Sequence, residues 1–475
     1  MINLIRNELY KIFHKKGIYI VLIITLLFSI LTNYLYSVGG EADSYLEENY
    51  KIESDYVELM EELGETDNDE YFYGKVNLAM YEYSKTFGKD SWQRYIIHED
   101  MTYYEKTYDI ITRILEYEYK RSNNKAEYES ALREKEILTN ELKNVTWKEF
   151  AENELLKAET LKQEATESEK NYYQATIDAL NLRIKNDIMY KYDDFNDYLR
   201  TYEENRLIQL NYLDSDEKTL KQEDKDAKNN ATKEVELAKH KIENKIEEVP
   251  AASNHYILTV FYDEYYIMIL VMIVLVSGSI VSEEFSKGTI KLLLVKPYTR
   301  TKILLSKYLT VLIMLAFALV TSFIMQLIIG GLFFGYDSLS IPYITYNIAT
   351  KSIESISVIK YFLLYTISVL PQFIILATLG FALSTISTST SISNTFTIIG
   401  AFGSTFISIF AQTLDLEWLK YVVTLNWDFS CYLFGGSSPF KGISLPFSIT
   451  ICIVYLLVMI IISFIVFKKR NVKNI

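Results

Sequence analysis

The chain has 475 residues, 49% of them hydrophobic, and a formal net charge of −13. Its apolar residues are gathered into long uncharged runs, which argues against an ordinary soluble globular protein. Two cysteines exclude a disulfide framework, and four scattered histidines argue against metal or histidine-based catalysis.

The apolar runs fall at 18–38, 265–281, 303–334, 361–386, 392–414 and 445–467. Each has about 17 or more residues, enough to cross roughly 30 Å of hydrocarbon as a helix, so six spans are predicted. Residues 41–248 carry 51 Asp/Glu against 30 Lys/Arg, a net of −21 that leaves +8 for the remainder. The positive residues cluster. Arg6, Lys11, Lys15 and Lys16 precede the first run, Lys287, Lys291, Lys296, Arg300, Lys302 and Lys307 follow the second, and Lys468, Lys469, Arg470 and Lys473 follow the last. With an even number of spans all three clusters lie on one face, which the positive-inside rule makes cytoplasmic. The expected architecture is an all-α protein of the cytoplasmic membrane. Six transmembrane helices carry an extracytoplasmic helical, partly coiled-coil domain between helices 1 and 2, and both termini are cytoplasmic.

In chain order, residues 1–17 set Leu4, Ile5, Leu9, Ile12 and Phe13 near helical spacing among basic residues, which predicts an amphipathic helix on the inner leaflet. The run 18–38 is too long for the core of a signal peptide. Residues 39–254 read as polar helices. Their starts are marked by the capping boxes Ser44/Glu47, Thr146/Glu149 and Asp214/Glu217. Asn144–Trp147 reads as a joint between two long helices. Beyond it Leu155, Ala158, Leu161, Ala165, Ser168, Tyr172, Ala175, Ala179 and Leu182 recur at three- and four-residue steps, a coiled-coil-like seam. This acidic block reads equally as a solvated spacer or as a recognition domain whose tyrosines supply contact area.

Residues 255–475 hold the remaining spans. Pro371 is expected to kink the fourth, and Gly330, Gly331, Gly380, Gly400 and Gly403 suit close helix packing. Asp263 and Glu264 stand at the outer edge of the second span, as interfacial charges or as the lining of a polar entrance, and Gln326 in the third is a weaker candidate of the same kind. The chain contains no phosphate loop, zinc-protease helix, nucleophile elbow or dinucleotide fingerprint, so no catalysis is expected from it.

Between the second and third runs lies Ser282-Glu283-Glu284-Phe285-Ser286-Lys287-Gly288-Thr289-Ile290-Lys291-Leu292-Leu293-Leu294, leading through Pro297 into the third span. An acidic pair, Gly-Thr, an apolar patch and a basic run, with a short N-terminal helix and first span upstream, resembles the ABC-2 type permease family. These are the membrane subunits of ATP-binding-cassette transporters. The resemblance covers the termini and residues 256–475. It implies a permease subunit, an exporter, working with a second permease copy and a cytoplasmic ATPase that uses ATP and magnesium, with no cofactor bound by this chain. It further implies that the segment 283–302 couples the ATPase to the spans. The coupling residues expected there are Glu283, Glu284, Gly288, Thr289, Lys291, Leu292, Leu293, Pro297 and Arg300. Many relatives have a much shorter loop where this chain inserts about 200 residues, which leaves an extracellular peptide, lipid or protein as ligand or cargo and no role for nucleic acid. The alternative is a surface receptor or secretion-machinery protein that needs no ATPase and binds its partner through the external helices. The Ile, Lys, Asn and Tyr content suits an AT-rich bacterial genome.

Overall fold

The computed structural model of the chain describes residues 1–42, 57, 69–88, 91–213, 215, 220, 222–291, 298–347, 350–414, 416–434, 440 and 442–470. It is mostly helical and divides into two compact units. One comprises Met1–Gly40, Lys221–Asp226 and Val249–Ile475, the other Glu41–Leu220 and Ala227–Glu248.

The membrane unit opens with α1 (Ile2–Phe13), whose buried face is Leu4, Glu8 and Ile12 at four-residue steps. Helix α2 (Lys16–Ala42) follows after a two-residue joint. It is apolar nearly all round, as a lipid-facing helix must be.

The acidic unit runs from α3 (Asp69–Lys85) through α4 (Trp92–Glu99), α5 (Met101–Glu118), α6 (Lys125–Lys143), α7 (Trp147–Glu164), α8 (Glu167–Lys185) and α9 (Asp194–Asn211) to α10 (Gln222–Glu243). Side-chain caps fix many of its helix starts: Ser91, Asp100, Asn124, Thr146 and Asp193 each accept from an amide of the first turn that has no partner within the helix. The expected Thr146/Glu149 box is present. The Ser44/Glu47 and Asp214/Glu217 boxes lie outside the described residues. The seam expected from Leu155 to Leu182 is not one continuous helix. Helix α7 stops at Ala165, and Thr166 with Glu169 forms a further capping box that starts α8. The two helices then pack on one another and bury Ala158, Ala175, Ala179 and Leu182. Extended backbone at Ala165 and Thr166 breaks the helical run that a periodic pattern alone implies. One apolar core gathers Phe72, Trp92, Ile97, Ile110, Leu138 and Phe150, and a smaller one gathers Leu182, Leu199, Val235 and Ile242.

The membrane unit resumes with α11 (Asn254–Thr259), α12 (Phe261–Ser277), α13 (Ser282–Ser286) and α14 (Arg300–Phe334). Strands β1 (Pro342–Asn347) and β2 (Ser352–Ser357) pair antiparallel, Pro342 opposite Ser357 and Asn347 opposite Ser352. This hairpin departs from the all-α expectation. Its aromatic and β-branched residues at Tyr343, Ile344, Thr345, Tyr346, Ile353 and Ile356 favour strands, and the Tyr343 ring stacks 3.8 Å from that of Tyr361. Then come α15 (Val358–Ile386), α16 (Thr390–Leu414), α17 (Ser430–Phe434) and α18 (Leu445–Lys469). Helix α15 continues through Pro371. The carbonyl of Ser368, one turn before that proline, accepts the amide of Phe429 from a neighbouring loop at 3.0 Å.

Among the described residues, four helices are long and apolar enough to cross a membrane: Lys16–Gly39, Arg300–Phe334, Val358–Ile386 and Leu445–Lys469. The other two expected spans are also helices, of different character. Helix α12 has 17 residues, and the run 265–281 extends past its end into a turn. Helix α16 buries Ser393, Thr397 and Ser404 along one side. Helix α12 packs against both α14 and α15, which accounts for the burial of Tyr265, Ile269, Met272, Ile273, Val274 and Val276 around much of its circumference. Close packing uses small residues where the sequence places them. A Cβ at Gly380 would lie 2.2 Å from Ser277 Oγ, and one at Gly330 would lie 2.0 Å from Asn254 Oδ1, whereas Gly403 faces open space. Cys431 and Cys452 are both free, the latter donating its thiol to the carbonyl of Asn426 at 3.1 Å.

Candidate functional site

The segment after α12 is built around a short helix held from several sides. The chain turns at Gly278–Val281 and enters α13, where the otherwise orphaned amides of Val281 and Ser282 donate to Ser384 Oγ of α15 at 3.0 and 2.9 Å. Gly288 ends this turn of helix with φ of 68°, a left-handed conformation that a residue with a Cβ adopts only under strain. Phe285 and Ile290 bury their side chains on either side of it.

Charge fixes this segment to α1 and α14. Glu284 is buried. It accepts from Lys11 Nζ at 2.7 Å, from Lys307 Nζ at 3.4 Å and from the Thr289 hydroxyl. Lys307 lies two turns into α14 and is fully buried. Its ammonium donates to Glu8 at 2.7 Å, to the carbonyl of Ile280 at 3.0 Å and to Glu284. Lys11 also reaches Glu8, at 3.5 Å. Two carboxylates and two ammonium groups thus form a neutral set contributed by α1, α13 and α14. Burial by itself would raise the pKa of Glu284. The Lys307 charge and the hydrogen bonds from Lys11 and Thr289 outweigh that and hold it down to about 2. Lys11 is shifted upward, because its bonds and charge contacts with Glu284 and Glu8 overcome its own desolvation. Glu283, half-buried beside them, is paired with Lys15 and, at 2.7 Å, with Lys287. Its pKa is lowered by those two lysines against the opposing effect of burial.

A second contact group borders the first. The Arg300 guanidinium, at the start of α14, donates to the carbonyls of Lys468 and Arg470 at 3.0 and 2.9 Å, filling acceptors left open where α18 ends. Arg470 in turn donates to the carbonyl of Thr385 at 2.7 Å and lies 4.1 Å over the ring of Phe285. Of the residues expected to couple, Glu283, Glu284 and Thr289 meet in one cluster, and Arg300 joins it through Arg470 and Phe285. Lys291 is exposed. Leu292, Leu293 and Pro297 lie outside the described residues. An open groove of about 570 Å³ runs along the cluster, lined by Tyr10, His14, Lys15, Glu283, Lys287 and Thr289 among others. Among the described residues no group of His, Cys, Asp or Glu side chains is placed to hold a metal ion.

Sequence reading did not find Glu8, although an acid four residues from both Leu4 and Ile12 stands on the buried face of α1. It placed Lys307 among surface basic residues, although that lysine already lies inside the third apolar run.

At the other end of α12 stand Asp263 and Glu264. Asp263 is exposed, and Glu264 accepts from the Tyr36 hydroxyl of α2 at 2.9 Å. The stronger polar focus is Gln326, fully buried in α14. Its Oε1 accepts from Asn33 Nδ2 at 2.8 Å, Tyr265 OH at 2.5 Å and Ser29 Oγ at 3.3 Å, and its Nε2 donates to Asn33 Oδ1 at 3.1 Å. A buried amide with its partners supplied by α2 and α12 fixes how those helices dock.

Residues 242–473 match a family described as a protein of unknown function, DUF2705. The chain is similar to two Bacillus subtilis (strain 168) proteins. One is described as the uncharacterized protein YhcI, 28% identical over 201 residues, which are 42% of this chain and 64% of the relative. The other is described as the uncharacterized membrane protein YdbK, 25% identical over 207 residues, 44% of this chain and 79% of the relative. The chain therefore spans less than two thirds of the length of the first. No solved structure matches. Together with the four apolar helices, the second relative identifies a multi-pass membrane protein.

Proposed function

We propose that this chain is the membrane subunit of an ATP-driven transporter of ABC-2 type, with the surface made by α1, the segment after α12 and the start of α14 receiving the motion of a separate ATPase. The observation that carries this reading is the neutral charge set of Glu8, Lys11, Glu284 and Lys307. It fastens an amphipathic helix, a short connector and a long apolar helix to one another, so displacing any one of them displaces the others. Buried pairs of this kind resist separation, because removing one partner strands a charge at a cost of about 3–5 kcal/mol. Around the set, Lys291 is exposed, and Lys287 is exposed as well as paired with Glu283, so both stand where an acidic partner surface can meet them.

In this reading the chain has six spans, with α12 and α16 completing the four long helices. The basic end and both termini are cytoplasmic, and the acidic unit is extracytoplasmic. Export is the expected direction, with two permease copies and two ATPase copies forming the working assembly. The test is capture of the tagged full-length chain from its native membranes in mild detergent. A phosphate-loop ATPase should co-purify, and Lys287→Glu with Lys291→Glu should weaken its capture while the chain elutes as a single folded species. Absence of any nucleotide-binding subunit from the intact wild-type preparation would overturn the reading.

A further inference from the structure

The acidic unit contains a cleft of about 550 Å³ between α4, α5, α7, α8 and α9. Its floor is Arg183. Only 8% of that residue is exposed, and its guanidinium lies 3.6 Å over the ring of Tyr190. Its hydrogen bonds go to neutral acceptors, Asn196 Oδ1 at 2.8 Å and the carbonyl of Ile188 at 3.3 Å. Among the described residues no carboxylate lies within ion-pair distance of it. This is an unusual place to leave an arginine, since the desolvation of a buried charge is offset here only by neutral hydrogen-bond acceptors and an aromatic face, and burial does push its pKa down.

The same cleft holds the converse feature. Glu203 of α9 accepts from the Thr176 hydroxyl at 2.5 Å, and among the described residues it has no cationic partner within ion-pair distance. Arg183 and Glu203 lie close enough to feel each other's charge, yet each is bonded only to neutral groups. The other two cations of the lining are already engaged. Lys157 pairs with Glu154 at 3.3 Å, and Arg200 with Asp197 at 2.6 Å. Asp100 also lines the cleft, its Oδ1 accepting the Thr102 and Tyr103 amides. The lining also includes Tyr172, Tyr173, Ala158, Leu161 and Leu180. Such a mixture of aromatic and aliphatic surface suits an amphipathic chain.

We propose that this cleft binds a short peptide as a zwitterion, its terminal carboxylate on the Arg183 guanidinium and its terminal ammonium on Glu203. A doubly charged anion such as phosphate would meet Glu203, Asp100 and Glu154 in the same cavity, and a polycation would meet Arg183. A ligand with one charge of each sign, separated by an apolar body, satisfies both. Guanidinium and carboxylate also match as a two-pronged hydrogen-bonded pair. A cavity of this volume accommodates a ligand of about three residues. The proposal stands apart from the permease reading, since the cleft lies wholly in the acidic unit and binding there needs no ATPase.

The experiment is calorimetric titration of the purified full-length chain in detergent with alanyl-leucyl-alanine, with its C-terminal amide and with its N-acetyl derivative. Saturable binding of the free tripeptide is expected, weakened at least about tenfold by either block, since each removes one charge-assisted contact. Arg183→Lys, which keeps the charge and loses the fork, should weaken the free peptide and leave the preference for a free N-terminus. Glu203→Gln should weaken the free peptide and bind the N-acetyl form as the wild type does, because the contact that acetylation removes is already gone. Should Arg183→Lys fail to fold, the Glu203→Gln comparison alone decides. No saturable binding to folded wild-type protein, equal binding of free and blocked peptides, or a Glu203→Gln variant that still discriminates against acetylation would each overturn the proposal.

Discussion

The two units treat buried charge in opposite ways. The membrane unit closes its charges on themselves: Glu8, Lys11, Glu284 and Lys307 are two acids and two bases, and each has a partner of opposite sign. The acidic unit, which has carboxylates in excess, buries Arg183 on a tyrosine face without pairing it with any carboxylate among the described residues. A closed set holds elements together and leaves nothing over for a ligand. An open pair, one cation and one anion in the same cleft without contact, leaves capacity that a third molecule can fill. Counting charges along the chain misses this difference, because the unit with the larger excess of charge is the one in which Arg183 is buried without a counter-ion among the described residues.

The comparison breaks most visibly at Lys307. Lys307→Met should strand Glu8 and Glu284 with one cation fewer and cost about 3–5 kcal/mol, read as loss of a monodisperse peak and a lowered unfolding temperature in detergent. Combining it with Glu284→Met, which removes one charge of each sign, should recover much of that loss. If Lys307→Met alone is tolerated, the set is not a fastening.

A second effect comes from pH. Glu284 is held down to about 2 in the folded chain, against an unfolded value of about 4.3. A depressed carboxylate contributes stability that is fully present above its unfolded pKa and is lost as pH falls toward the folded one. The contribution is roughly 3 kcal/mol at about 1.4 kcal/mol per unit. Thermal unfolding should therefore lose stability progressively below about pH 4. Glu284→Gln should flatten that acid limb while lowering stability at neutral pH.

The smallest effect belongs to the acidic unit and leaves its charges alone. Thr166→Ala removes the cap that separates α7 from α8 and should cost about 1 kcal/mol. Because α8 carries Arg183 and Thr176, the unit's thermal stability should fall by that modest amount, whereas the Lys307 cluster should be unaffected. Equal losses from Thr166→Ala and Lys307→Met would erase the distinction between a local cap and a buried charge set.

Much of the helical framework was legible in the residues. Long apolar runs cannot be soluble surface, so α2, α14, α15 and α18 follow directly from composition. The Thr146/Glu149 box marks the start of α7 within the exposed polar region for an equally local reason. What failed did so where neighbours compete. The seam from Leu155 to Leu182 keeps its period through Ala165, but a threonine cap three residues before a glutamate overrides it. The strands at 342–347 and 352–357 are short, and their packing on Tyr361 is a contact between segments.

The candidate site was legible only as a location. Sequence alone determined that a charged connector separates two apolar runs, that it contains an acidic pair, and that Gly288 permits a sharp turn there. These are local properties of composition and backbone. Tertiary structure decided that Glu284 faces inward to a lysine from α14 and another from α1, that Glu8 completes the set, and that Arg183 and Glu203 share a cleft without touching. Within the set, Lys11 and Glu284 are separated by 273 positions in the chain and Glu8 and Lys307 by 299. Pairings at that distance depend on how helices dock, and no local period or propensity encodes them.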